Sequence, residues 1–208
     1  MRLGVEDALV VVDMQYDFLP GGRLAVAGGD EVILPINRLA ERFGNVIQTQ
    51  DWHPPDHISF ASNYPDLKPF DVIELPYGPQ VIWPDHCVIG THGAEFSTDL
   101  YVPNVQAVIR KGYRETIDSY SAFRENDHKT GTGLAGYLRE RGIRRLFFCG
   151  LATDFCVAWS AEDGMDLGFE SIVIEDATRA IDTNGSLAAA WSRMTAAGVQ
   201  RTTLSDFE

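Results

Sequence analysis

The chain has 208 residues, 45% hydrophobic and 23% charged, a composition that suits one α/β domain spanning 1–208 around a single core. Its 17 Lys and Arg face 30 Asp and Glu, for a formal net charge of −13. An acidic surface repels nucleic acid and anionic membranes, so neither is expected as a partner, and a small neutral ligand fits better. No apolar run approaches the roughly 20 residues of a membrane span. Three cysteines without a CxxC spacing argue against a disulfide framework and for a reducing, cytoplasmic setting. Acidic residues break any signal-peptide pattern in MRLGVEDALVVVDMQ.

Apolar runs and helical patterns alternate along the chain. Residues 8–12 read as a buried strand ending at Asp13, and residues 29–43 as an amphipathic helix. A second strand, 45–49, leads to Asp51, and a third, 105–110, leads to Lys111. A helix over 133–141 is closed by Gly142. Strand 146–149 follows, then a helix capped by Thr153 or Asp154 and stopped at Gly168. A strand at 171–174, a helix near 185–197 and a strand near 199–204 complete the series. Strands buried on both faces and alternating with helices predict a mainly parallel sheet in a three-layer αβα arrangement. Residues 51–104 break the rhythm. They are rich in Pro, Gly, Asp and aromatics, with room for a hairpin near 72–83, and so long an irregular stretch is usually a functional loop.

Ligands of open α/β sheets bind beyond the carboxyl ends of the strands. There the sequence places Asp13, Asp51, His53, Lys111 and Cys156. Cys156 falls at the start of a helix, where the dipole and free amides are expected to lower its pKa, although a free cysteine reads equally well as a core residue. Asp13 could serve as its base if burial raises the carboxyl pKa, and Lys111 could balance the buried negative charge. Asp51-x-His53 sets two ligand types on one side of an extended segment, and His86 lies in the same loop region. One Asp and two His suit a divalent ion, zinc foremost, with iron or manganese as alternatives. Cys87 and Cys149 read as core, and His92 and His128 as ordinary polar residues.

The segments VVDMQYDFLPGGRLAV (11–26), QDWHPPDHISFA (50–61), WPDHCVIGTHGAEF (83–96), RKGY (110–113), DSYSAF (118–123) and GLATDFCVAWSA (150–161) together resemble the nicotinamidase/pyrazinamidase family of isochorismatase-like cysteine hydrolases. The resemblance covers nearly the whole chain and implies a six-stranded parallel sheet with helices on both faces. It implies a catalytic triad of Asp13, Lys111 and Cys156, and a metal held by Asp51, His53 and His86, with His57 beside the ligands. It further implies Phe18 and Trp83 on either side of a pyridine ring, Tyr120 closing the pocket, and an oxyanion hole from the amides of Ala152 and Cys156. The Leu151–Ala152 peptide bond is expected to be cis. The implied reaction is a thioester route from nicotinamide, and by extension pyrazinamide, to the acid and ammonia, within NAD salvage. In it the metal binds the ring nitrogen and orients the carboxamide. Phe155 departs from the Tyr or His of many relatives. The rival readings are a metal-independent hydrolase of the same fold, a metal-hydroxide hydrolase with Cys156 in the core, and a non-enzymatic binding protein. Oligomeric state stays open, a homo-oligomer included.

Overall fold

A computed structural model describes residues 1–207. Six parallel strands form the main sheet: β1 (Asp7–Val12), β2 (Val46–Asp51), β5 (Val105–Lys111), β6 (Arg145–Leu151), β7 (Glu170–Arg179) and β8 (Gln200–Thr202). Their order across the sheet is β5-β2-β1-β6-β7-β8. The direction of winding therefore reverses between β1 and β6, and a crevice opens beyond their carboxyl ends.

Alternation along each central strand divides the core in two. Leu9 and Val11 of β1, with Phe147, Cys149 and Leu151 of β6, pack under Ile33, Ile36 and Leu39 of α1 (Ile33–Ala40). Ala8, Val10 and Val12, with Leu146 and Phe148, face the opposite layer. That layer comprises α2 (Leu134–Glu140), α3 (Ala158–Asp166) and α4 (Ser186–Ala196), which contribute Leu134, Leu138, Ala158, Ala161, Ala190 and Met194. β1 and β2 are buried along their whole length, β1 as its apolar run predicts and β2 with the polar Gln48, Thr49, Gln50 and Asp51 buried as well. β5 is not. It lies at the sheet edge and exposes alternate residues, Val108 at 45% among them.

Two helix expectations need correction. The pattern over 29–43 resolves into a 3-10 turn, Gly29–Val32, followed by the shorter α1. The helix expected from Thr153 begins instead as a π-helical turn, Thr153–Val157, with no side-chain cap. Asp154 turns away from its own helix and accepts hydrogen bonds from the amides of Ile181 and Asp182 and from the Ser186 hydroxyl, which ties down the loop after β7.

The stretch 51–104 contains the hairpin β3 (Val72–Leu75) and β4 (Gly78–Val81) and two 3-10 turns, but no α-helix. Isolated bridges join Gln15 to Phe96, His53 to Val88 and Phe60 to Trp83, so the loop is laid over the carboxyl edge of the sheet. Among the described residues, no helix is long and apolar enough to cross a membrane.

Candidate active site

Asp13 immediately follows β1 and takes a positive φ of 47°, a conformation that Asp tolerates better than most residues. Thr49 on β2 fixes it, accepting from the Asp13 amide at 3.2 Å and donating to Asp13 Oδ1 at 2.6 Å. Asp13 Oδ2 lies 2.9 Å from Lys111 Nζ, at an angle that gives no hydrogen bond, so this oxygen is buried with a charge beside it and its acceptor capacity unfilled. Burial outweighs the neighbouring ammonium and raises the Asp13 pKa above the usual carboxylate value.

Lys111 ends β5 and is 1% exposed, so it is not a solvated strand end. Its ammonium donates to Asp51 Oδ1, to the Ser119 carbonyl at 3.2 Å and to Cys156 Sγ at 3.3 Å. Burial opposes the charge, but Asp13 and Asp51 outweigh it and lift the Lys111 pKa well above normal, so the cation persists.

Cys156 sits in the π-helical turn, 8% exposed. The expected lowering of its pKa does not occur. Burial pushes the thiol well up, Asp13 and Asp51 add to that, and Lys111 only partly offsets it. The resting group is a neutral thiol, which needs a base to become nucleophilic. Cys87 and Cys149 are fully buried in the core. The Leu151–Ala152 bond is cis, as expected, and among the described residues the Ala152 amide donates to no backbone carbonyl. The preceding Gly150 has φ +104°, and a Cβ there would stand 2.2 Å from the Val12 carbonyl, so only glycine lets β6 end this close to β1.

Asp51, His53 and His86 place one donor atom each within 4.8 Å of one another. His53 donates from Nδ1 to the Gly112 carbonyl at 2.8 Å, and His86 from Nδ1 to the Pro84 carbonyl at 2.7 Å. A carbonyl can only accept, so Nδ1 carries a proton in both rings, and in the neutral imidazoles Nε2 is the nitrogen whose lone pair can bind an ion. The two Nε2 atoms lie 3.6 and 3.8 Å from Asp51 Oδ2, too far for hydrogen bonds and close enough to share one ion. Two oriented imidazoles and a carboxylate fit a borderline divalent ion. Gly112 is required here, because a Cβ would stand 2.3 Å from the His53 ring. His57 faces the ligands, but Ser59 and the Ile117 carbonyl engage both its nitrogens, and burial drops its pKa to about 4.

Phe18, Trp83 and Tyr120 line one cavity with Asp51, His53, His86, Ala152 and Cys156. Phe18 meets His86 edge-on at 5.5 Å, while Trp83 packs edge-on to Phe155 at 4.8 Å. Leu24, Asp118, Phe155 and Ile181 complete the lining. Trp83→Ala should open one wall of this cavity. Its Michaelis constant for a flat aromatic amide should rise about tenfold, consistent with the loss of an aromatic contact and buried area. Steady-state kinetics checks this, and an unchanged Michaelis constant would remove Trp83 from the ligand wall.

Sequence reasoning missed three residues that hold the site together. Gln15 donates to the carbonyls of Asp51 and Ala94 and accepts from the Asp51 amide, locking the ends of β1 and β2. Asp17 accepts from the Cys87 amide at 2.7 Å, anchoring the loop that carries His86. Thr49 orients Asp13. Gln15 and Asp17 were visible as polar residues beside Asp13 in VVDMQYDF. Nothing in the sequence singles out Thr49.

The model of the isochorismatase domain matches residues 7–206. A nicotinamidase of Acinetobacter baylyi is 59% identical over 93% of this chain and 91% of its own length. The solved nicotinamidase/pyrazinamidase of Acinetobacter baumanii superposes with a TM-score of 0.98 at 56% identity, with both chains fully covered. A pyrazinamidase of Pyrococcus horikoshii, solved in complex with zinc, gives 0.77 at 37% identity, covering 95% of this chain and 99% of the other. The chain belongs to the isochorismatase-domain family and, within it, to the nicotinamidases.

Proposed function

We propose that the chain hydrolyses nicotinamide, and pyrazinamide with it, to the carboxylic acid and ammonia through a thioester on Cys156. The observation that carries this reading is the Lys111 ammonium, which touches Asp13, Cys156 and the ligand-type Asp51 at once and so joins a thiol–carboxylate pair to the Asp–His–His cluster. A divalent ion held by Asp51, His53 and His86 would supply a Lewis acid suited to a heteroaromatic ring nitrogen, and the zinc of the Pyrococcus relative favours zinc here.

Phe18, Trp83 and Tyr120 hold the flat ring and exclude water. Asp13 accepts the Cys156 proton as the sulfur adds to the carboxamide carbon. The amides of Ala152 and Cys156 receive the developing oxyanion. Asp13 then gives its proton to the nitrogen, the C–N bond breaks, ammonia departs and the thioester remains. A water loses its proton to Asp13 and adds to the thioester carbon. The C–S bond breaks, the acid leaves, and the proton returns to sulfur. Lys111 stays charged throughout and keeps the three acidic groups from repelling one another. The same reading places the chain in NAD salvage.

Ammonia release from nicotinamide is the direct test. Elemental analysis should find about one divalent ion per chain, and removing it should abolish turnover, with recovery on adding zinc back. Full activity after complete removal would contradict the assignment of Asp51, His53 and His86.

A further inference from the structure

Gln80 is the only strand residue of the β3–β4 hairpin that is buried, at 0% exposure. A polar side chain that leaves an otherwise solvent-facing hairpin for the interior needs partners there, and it has five. Its Oε1 accepts from Asn126 Nδ2 at 3.1 Å and from the Tyr77 hydroxyl at 3.2 Å. Its Nε2 lies 2.8 Å from the Val81 carbonyl, 2.8 Å from Asp118 Oδ2 and 3.0 Å from the Tyr120 oxygen. The orientation of the amide is settled by these partners, since a flipped amide would turn its oxygen onto a carbonyl and a carboxylate.

Trp83 Nε1 also donates to the Tyr120 oxygen, at 3.2 Å. The Gln80 amide has two hydrogens for three acceptors, so it shares one of them with the Tyr120 oxygen, and together with the Trp83 N–H this turns that oxygen's acceptor side toward the protein. Its own hydrogen meets no acceptor among the described residues, and Tyr120 lines the cavity that holds Cys156. We infer that Gln80 is a positioning residue of the substrate pocket, which with Trp83 aims the Tyr120 hydroxyl as a donor that a hydrogen-bond acceptor on the bound heteroaromatic amide satisfies. This rests on the amidase reading above. A hairpin anchor with no other duty would show the same burial, so the test must separate the two.

The experiment is a double-mutant cycle in the metal-loaded enzyme, combining Gln80→Leu with Tyr120→Phe and following nicotinamide hydrolysis. Gln80→Leu should raise the Michaelis constant about tenfold while turnover changes by less than about threefold. In the Tyr120→Phe background the same change should add less than about twofold, because the hydroxyl it positions is already gone. The isosteric Gln80→Glu, which keeps the volume but loses both N–H donors, should behave like the leucine variant and serves if that variant does not fold. A lowered melting temperature with an unchanged Michaelis constant would overturn the role, as would effects that multiply fully in the double variant. An active wild type accompanied by either result sinks the Gln80 role alone, whereas a wild type inert to nicotinamide overturns it together with the amidase reading.

Discussion

Cys156→Ala should cost at least about 10⁴-fold in nicotinamide turnover while leaving the fold intact, because it removes the only atom able to form the thioester. The substitution deletes one sulfur from a residue that already borders a cavity, so its melting temperature should stay within a few degrees of wild type. Cys156→Ser should fall almost as far, since Asp13 would have to deprotonate a much weaker acid. The same variants decide between the thioester route and a metal-hydroxide mechanism with Cys156 as a core residue. Near-normal turnover in the alanine variant would establish the latter, and a mass increase on Cys156 in quenched wild-type reactions would support the former. Thiol labelling adds a finer check. Burial keeps the Cys156 thiol protonated, so a small alkylating reagent should react slowly for a catalytic cysteine, yet still ahead of Cys87 and Cys149, which are fully buried, whereas Cys156 lines the cavity.

That slow reaction is the point at which local sequence reasoning and the folded environment part. A cysteine at the start of a helix reads as an activated thiolate, because only the helix is visible in the sequence. The fold surrounds it with Asp13 and Asp51 and excludes water, and those effects outweigh a helix dipole worth about 1 kcal/mol. The strand ends were legible for a simpler reason. The apolar run closed by Asp13, and the shorter apolar patches that lead into Asp51 and Lys111, are enough to place all three at one edge of a parallel sheet. The ligand trio was legible because Asp51, His53 and His86 stand out in a loop of Pro, Gly and aromatics, although bringing His86 to the other two takes long-range bridges such as His53 to Val88. Asp154 misled in the opposite direction. It has the chemistry of an N-cap, but a partner 27 residues away competes for its carboxylate and wins. Thr49 and Gln80 carry no local signal at all, since an uncharged polar residue in a strand becomes informative only once its partners are known.

Lys111→Met should lower unfolding stability by about 3–5 kcal/mol and abolish activity, and the stability loss should be largely a matter of charge. In the wild type, burial pushes the Asp51 carboxyl up, but the Lys111 ammonium foremost outweighs it and holds the pKa well below normal. Asp13 is fully buried on the other side of the same ammonium, 2.9 Å away. Methionine nearly fills the volume and removes the cation, leaving two carboxylates in a site from which water is excluded. For a chain of this length the change corresponds to a fall in melting temperature of roughly 6–20 °C. Adding Asp13→Asn removes one of the uncompensated charges, so the double variant should recover part of the lost stability while remaining inactive. Denaturant unfolding of the wild type, the two single variants and the double variant measures the coupling directly. If Asp13→Asn and Lys111→Met simply add, Lys111 acts by packing, and its ammonium is not what holds Asp13 and Asp51 together beside the Cys156 sulfur.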